Sequence, residues 1–179
     1  MSWTFFPAFI GTLISIGAWT YLARREHIAH VPRTLSELAS EKPEALKYYR
    51  IVLWVCGPLF AVTTLFFIVP RIENQIAVGA ACALTVLAEL LIGIYPAQRG
   101  KITTHDLIAG LMGAAMLASA YLFAFSLGAI YSHIEISFAI IMTILAALTI
   151  LDRKRYLFYE LPFIFIAHGS ILVAALALR

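Results

Sequence analysis

The chain has 179 residues, of which 62% are hydrophobic and only 13% are charged, and its formal net charge is +3. Soluble domains have roughly half of their residues apolar and about a quarter charged, so this composition excludes most soluble classes and indicates a membrane protein. No motif in the chain names a substrate by itself, so function has to be sought among the scarce polar residues.

Six apolar segments are marked off by charged residues or proline, and each is close to the roughly 20 residues that a membrane-spanning helix needs. The period-2 alternation of a transmembrane β-barrel is absent, which favours helices. The sequence therefore predicts an all-α polytopic membrane protein, with residues 1–179 forming a single domain of six transmembrane helices. The predicted spans are 5–23, 51–69, 75–95, 107–131, 134–151 and 160–178.

Lysine and arginine are distributed unevenly between the two faces of this arrangement. The connections after the first, third and fifth spans carry eleven of the thirteen basic residues, and the other face has only Arg71 and Arg179. Because basic loops stay in the cytoplasm, residues 24–50 are predicted to be a cytoplasmic loop and both termini to be extracytoplasmic, in a multi-pass protein of a prokaryotic cell membrane. The net charge then reports topology, and no nucleic-acid partner is predicted.

The first cytoplasmic loop contains a helix signal. Thr34 and Glu37 have the spacing of a capping box, which predicts a short helix whose apolar side chains, Leu35 and Leu38, face the membrane surface. A second helix is predicted to begin near Pro43 and to run on into the second span.

Small residues indicate where the spans pack. Gly110, Ala114 and Ala118 recur at four-residue spacing in the fourth span, and Gly79 and Ala83 do so in the third. Such stripes let helices approach closely, so they are predicted to be packing contacts in the bundle interior rather than ligand contacts.

Ionisable side chains inside or at the rim of a bilayer are costly to keep, so they mark the places where function is expected. Glu89 lies within the third predicted span, His105 and Asp106 open the fourth, and Glu160 and His168 lie on the sixth. All five fall in the cytoplasmic half, where they are predicted to form the polar floor and wall of a cavity. His168 could instead simply hydrogen-bond a neighbouring helix.

Several of these positions have a purely structural alternative. Thr103 and Asp106 have the spacing of an N-cap with an acidic third residue, and Glu160 could mark only where a helix enters the headgroup region. Ser132 and Glu135 repeat the capping arrangement before the fifth span, and these two residues are predicted to cap that helix.

The sequence gives little support for binding of retinal, haem or zinc. A retinal Schiff base is excluded because no lysine lies within a predicted span. A haem between His105 and His168 is disfavoured because the two side chains are expected to differ in depth by about 10 Å. A zinc site that adds His27, His30 and Asp106 has no characteristic ligand spacing. The cofactor is therefore left unknown, and no metal site is predicted.

Three short stretches together resemble the six-helix Frag/DRAM group and its bacterial relatives of unknown function. They are Val-Pro-Arg-Thr-Leu-Ser-Glu-Leu at 31–38, Gly-Ile-Tyr-Pro at 93–96 and Thr-His-Asp at 104–106. The residues that match by position are Pro32, Ser36, Glu37, Pro96 and His105, with Glu37 standing where the pattern has aspartate. Eukaryotic members are associated with lipid remodelling of GPI anchors and with membrane trafficking, so the resemblance implies a lipid-linked role.

The leading hypothesis is an integral membrane protein that binds a lipid or another amphiphile in a cavity open to the cytoplasmic leaflet, with modification of that lipid left open, so that whether it is an enzyme is undecided. The alternatives are an accessory subunit of a larger membrane complex, with other subunits or a second copy as partners, and a small proton-coupled transporter. The candidate ligand-binding residues are Ser36, Glu37, Glu89, His105, Asp106, Glu160 and His168.

Overall fold

Helices account for all regular structure in the part of the chain that the computed structural model describes, residues 5–25, 34–95, 97–98, 103–152 and 156–178. No strand occurs in these ranges, so the all-α prediction is confirmed. The α-helices are α1 (Phe6–Arg25), α2 (Leu35–Ser40), α3 (Pro43–Ala61), α4 (Gln75–Ile94), α5 (Thr104–Ser126), α6 (Ala129–Leu151) and α7 (Tyr156–Ala177).

Five helical stretches of the described chain are long and apolar enough to cross a membrane. One of them, Pro43–Arg71, comprises α3, a π-helical segment and a final 3₁₀ turn, so the predicted start near Pro43 and the continuation into the second span are confirmed. The others are α4, α5, α6 and most of α7. In α1 the apolar stretch Phe6–Leu22 is shorter, and its role as a sixth span stays a prediction.

The junction between α5 and α6 lies earlier than predicted. The expected break near residues 132–133 is wrong, because α5 ends at Ser126 and the extended backbone of Gly128 precedes the first turn of α6. Ser132 therefore lies inside α6 and does not cap it; its Oγ donates to the carbonyl of Ala124 at 2.6 Å. This bond ties the start of α6 to the end of α5.

The short helix α2 forms as the capping box predicts. The Glu37 N–H donates to Thr34 Oγ1 and the Thr34 N–H donates to Glu37 Oε2, both at 3.1 Å. Its predicted orientation is wrong for Leu35, which is only 2% exposed and packs in the core cluster that contains Trp19 and Tyr49. The capping box sets the helix, but burial of Leu35 turns it towards the bundle; the side chain of Leu38 lies outside the described residues.

The helices pack in chain order. α1 packs on α3, each of α3 to α6 packs on the next long helix, and α7 returns against α1. At one of these contacts only glycine fits, since a Cβ on Gly93 would lie 2.6 Å from Trp54 Nε1. That indole N–H donates to the carbonyl of Leu90 at 3.3 Å and holds α3 against α4. The arrangement encloses space near α2, at the end of the bundle where α3, α5 and α7 begin; this end is called the α2 end below.

Candidate functional site

A cavity of about 450 Å³ lies at the α2 end of the bundle and is lined by residues from all seven helices. Most of its lining is apolar, and a few polar side chains converge on it. Six of the seven candidate ligand-binding residues lie around it: Ser36, Glu89, His105, Asp106, Glu160 and His168. Residues up to 132 positions apart in sequence are thus brought to one site, although ligand binding by them stays a prediction.

The seventh candidate, Glu37, has a structural role in the described chain. Its carboxylate turns back to accept the Thr34 N–H and does not line the cavity. Asp106 lines the cavity at its exposed edge and also caps α5. Its Oδ2 accepts from the N–H and the hydroxyl of Thr103 at 2.6 and 2.9 Å. The capping interpretation of Thr103 and Asp106 is therefore confirmed.

Glu160 attaches α2 to the wall of the cavity. Its Oε2 accepts the backbone N–H of Leu35, the first residue of α2, at 3.0 Å. The first N–H groups of a helix have no partner within the helix, so a carboxylate placed there stabilises the helix and fixes its position. Ser36, next along α2, is buried and faces the cavity, with its Oγ 2.8 Å from Thr34 Oγ1.

His105 joins the end of α4 to the start of α5. It is buried, and its Nδ1 lies 2.7 Å from the carbonyl oxygen of Tyr95. Because a carbonyl oxygen only accepts, Nδ1 carries the proton and donates it. In the neutral ring Nε2 is then an acceptor, on a residue that also lines the cavity.

Glu89 and His168 form the inner end of the cavity. They are 6% and 3% exposed, and both also line a second, smaller cavity of about 30 Å³, which has room for a water molecule. The Glu89 carboxylate lies against Gly57, where a Cβ would be 3.5 Å from Oε2. His168 stacks on Phe60 with ring centroids 4.4 Å apart, and its Nδ1 has no hydrogen-bond partner in the described chain.

Glu135 is the buried polar residue that the sequence reasoning missed. It is fully buried, its Oε2 accepts from Ser170 Oγ at 2.5 Å, and its Oε1 has no partner among the residues described. The capping interpretation is wrong because α6 begins six residues before it. The available signal was its helical spacing from Ala139 and Met142, which are the other buried residues of α6.

Ser170 connects Glu135 to the inner end of the cavity. Its side chain lines the smaller cavity together with Glu89 and His168. A succession of buried polar groups therefore leads from the α2-end cavity, past the smaller cavity, to Glu135 on α6.

The small-residue stripe of α5 borders open space near the α2 end rather than a packed helix. A Cβ on Gly110 or Gly113 would meet no atom within 4 Å, and both glycines line the cavity. The predicted packing role is thus wrong for Gly110, whereas a Cβ on Gly79 of α4 would lie 3.4 Å from Val69, as expected of a packing position. On α5 the buried face is offset by one position, at Ala115 and Ser119.

The cavity reaches the outside of the bundle between α5 and α6. Among its lining residues, Asp106, Gly110 and Ala114 are exposed on one edge of α5, and Ile150 on α6 is 70% exposed. Farther from the α2 end the two helices are joined, since Tyr121 OH and Thr143 Oγ1 lie 3.0 Å apart. The opening therefore lies on the side of the bundle and not only at its end.

No family model, curated protein or solved structure matches the chain. Among the residues described, no group of three or more His, Cys, Asp or Glu side chains could hold a metal ion. The fold and the site define a class: a helical membrane protein with a large, laterally open cavity that carries carboxylates and histidines.

Proposed function

We propose that this protein binds a lipid or another amphiphile in the α2-end cavity, which the ligand enters sideways between α5 and α6. The observation that carries the proposal is the cavity itself, which is largely apolar, has polar groups at defined positions and opens on the flank of the bundle. Its volume, about 450 Å³, lies in the range of roughly 300 to 1,000 Å³ that is typical of ligand sites.

The side opening suits a ligand that arrives from the bilayer. An amphiphile that enters there keeps its apolar part against apolar walls while its polar head reaches the carboxylates and histidines. Since the basic loops predict that the α2 end is cytoplasmic, the opening faces the inner leaflet in this proposal. The resemblance to the Frag/DRAM group, with its lipid-linked members, points in the same direction and likewise stays a prediction.

Trp19 offers a direct test, because it is buried and lines the cavity. In a variant that retains Trp19 alone, with Trp3→Phe and Trp54→Phe, a dodecyl amphiphile brominated on its chain should quench the fluorescence saturably. Gly113→Leu should remove most of this quenching, since the new side chain enters the open space. Gly17→Leu is the matched control, because Gly17 also has open space around it and does not line the cavity.

Two results would count against the proposal. Quenching that never saturates, or that is equal in the Gly113→Leu and Gly17→Leu proteins, would mean that the probe reaches Trp19 without occupying the cavity. Native mass spectrometry of gently extracted protein adds a separate criterion: a stoichiometric partner chain and no bound lipid would favour the accessory-subunit hypothesis.

Proton-coupled transport is a second candidate, favoured by the succession of Glu89, His168, Ser170 and Glu135. Groups of this kind inside a membrane are typical of proton relays. Proteoliposomes that contain a pH-sensitive dye should then show proton uptake driven by a potassium diffusion potential. Glu135→Gln should abolish the uptake, whereas wild-type vesicles no more permeable than empty ones would refute this candidate.

A further inference from the structure

The described residues that line the α2-end cavity include carboxylates and no basic side chain of lysine or arginine. The three carboxylates are those of Glu89, Asp106 and Glu160. Burying a carboxylate is costly unless it is neutral or paired with a cation. A ligand that carries a positive charge would pair with such a carboxylate.

The lining of the cavity also contains several hydrogen-bond acceptors. Asp106 and Glu160 each accept from a backbone N–H, so part of their capacity is used. Glu89 lies deeper, and it lines both this cavity and the smaller one. A carboxylate among apolar walls fits a charged head group that donates hydrogen bonds.

Aromatic side chains line the same cavity. Trp19, Tyr49 and Phe163 are on its wall, and the rings of Trp19 and Tyr49 are 5.3 Å apart. The faces of such rings attract ammonium groups, and they do not attract phosphate. Carboxylates and aromatic rings together therefore favour a cationic head over an anionic one.

We infer that the cavity selects an amphiphile with a protonated amine head and no phosphate, held through Glu89. This inference rests on the proposed function and names the class of its ligand. The amine N–H groups donate to the Glu89 carboxylate, and the alkyl chain lies along the apolar walls towards the opening between α5 and α6.

The test compares dodecylamine, 1-dodecanol and dodecyl phosphate, which share one chain length and differ in the head. Each competes with the brominated probe for the protein that retains Trp19 alone, at equal mole fraction in the detergent micelle and at pH 7. The wild-type cavity should prefer the amine over both other compounds by about tenfold or more, the effect of one charge-assisted hydrogen bond. This comparison requires no change at the binding residues.

Variants then locate the preference. Glu89→Gln should bring the amine down to the level of the alcohol and leave alcohol binding unchanged. Glu73→Gln, which removes a carboxylate in the exposed turn before α4 that does not line the cavity, should keep the preference. A preference that survives Glu89→Gln would overturn the assignment of Glu89.

The failures of the two proposals are distinguishable. Equal competition by all three compounds, or a preference for dodecyl phosphate, would overturn the amine inference and leave the amphiphile site in place. Absence of competition by any of them, together with unsaturable quenching, would overturn the amphiphile site itself.

Discussion

The contact between Ser170 and Glu135 shows how a carboxyl group is kept inside an apolar bundle. The two residues come from α7 and α6, and their side chains meet at 2.5 Å where neither is accessible to solvent. One carboxyl oxygen is satisfied and the other has no partner in the described chain. Among the described residues, the Ser170 hydroxyl is therefore the hydrogen-bond donor that the structure identifies for the Glu135 carboxyl group.

Loss of that hydroxyl should destabilise the protein. Ser170→Ala leaves a buried carboxyl group without its donor, and we expect a cost of about 1 to 3 kcal/mol, seen as a lower Tm in detergent. Ser126→Ala is the matched control, because its Oγ donates at 2.7 Å to Leu122 in its own helix. Equal Tm values for the two variants would contradict the importance assigned to the contact with Glu135.

At the residue scale, local signals were predictable and long-range ones were not. The capping boxes of Thr34 with Glu37 and of Thr103 with Asp106 were read correctly because they depend on spacing alone. Glu135 was misread because its environment depends on where α6 begins and on which residue of α7 lies opposite. Five of the seven candidate ligand residues were predicted from their position within or at the rim of the bilayer, and Ser36 and Glu37 from the resemblance to the Frag/DRAM group. Six of the seven lie around the cavity, and Glu37 caps α2.

At the scale of elements, α2 is the shortest α-helix of the described chain. A side chain of another helix, Glu160 of α7, binds its N-terminus. A six-residue helix has little stability of its own, since a nucleus is costly and only a few hydrogen bonds follow it. Its position depends on burial of Leu35 and on the bond from the Leu35 N–H to Glu160. We therefore expect α2 to be more easily released than the long helices around it.

Substitution of Glu160 should loosen α2 selectively. Glu160→Ala removes the acceptor at the first N–H of the helix, a change worth about 1 to 2 kcal/mol at helix N-termini. Hydrogen exchange measured by mass spectrometry should become faster in peptides that cover residues 34–40 and stay unchanged in α4. Glu73→Ala, in an exposed turn before α4, is the control, and exchange that rises equally in both variants would refute the attachment.

The long helices were predictable as apolar runs, and their junctions were less so. α3 could be extended back to Pro43 because proline at the first helical position is a local signal. The turn between α5 and α6 is predicted too far along the chain, at residues 132–133, because Leu127 and Gly128 lie inside a continuous apolar stretch. There hydropathy does not change, and only the extended conformation at the glycine separates the two helices.

At the scale of the whole molecule, the distribution of basic residues predicts how the protein is oriented in the membrane. This orientation can be tested at the two ends of α4. Glu73 and Gln98 lie on either side of this helix, and both are exposed. We predict that a membrane-impermeant maleimide applied to intact cells will label Glu73→Cys and not Gln98→Cys, with the reverse in inside-out vesicles. The native Cys56 and Cys82 are buried, so they should add little background. Labelling of Gln98→Cys in intact cells would invert the topology.

The cavity as a whole could not have been read from the sequence. A stripe of small residues such as the one on α5 predicts helix contact in most bundles, and the same stripe borders open space when the facing helix stands away from it. A Cβ on Gly110 would meet no atom within 4 Å, although α5 and α6 are in contact elsewhere, between Tyr121 and Thr143. The polar residues indicated which end of the molecule to examine, and tertiary packing determined the volume enclosed there.

The hydrogen bond between Leu35 and Glu160 also has a consequence for biosynthesis. Its partners are 125 positions apart in the chain, and the ribosome delivers the N-terminal one first. α2 consequently has no carboxylate to receive its first N–H until the last helix has been translated. The wall that α2 contributes to the cavity is thus completed only after α7 emerges, so a nascent chain stalled before α7 should hold an unfinished binding site.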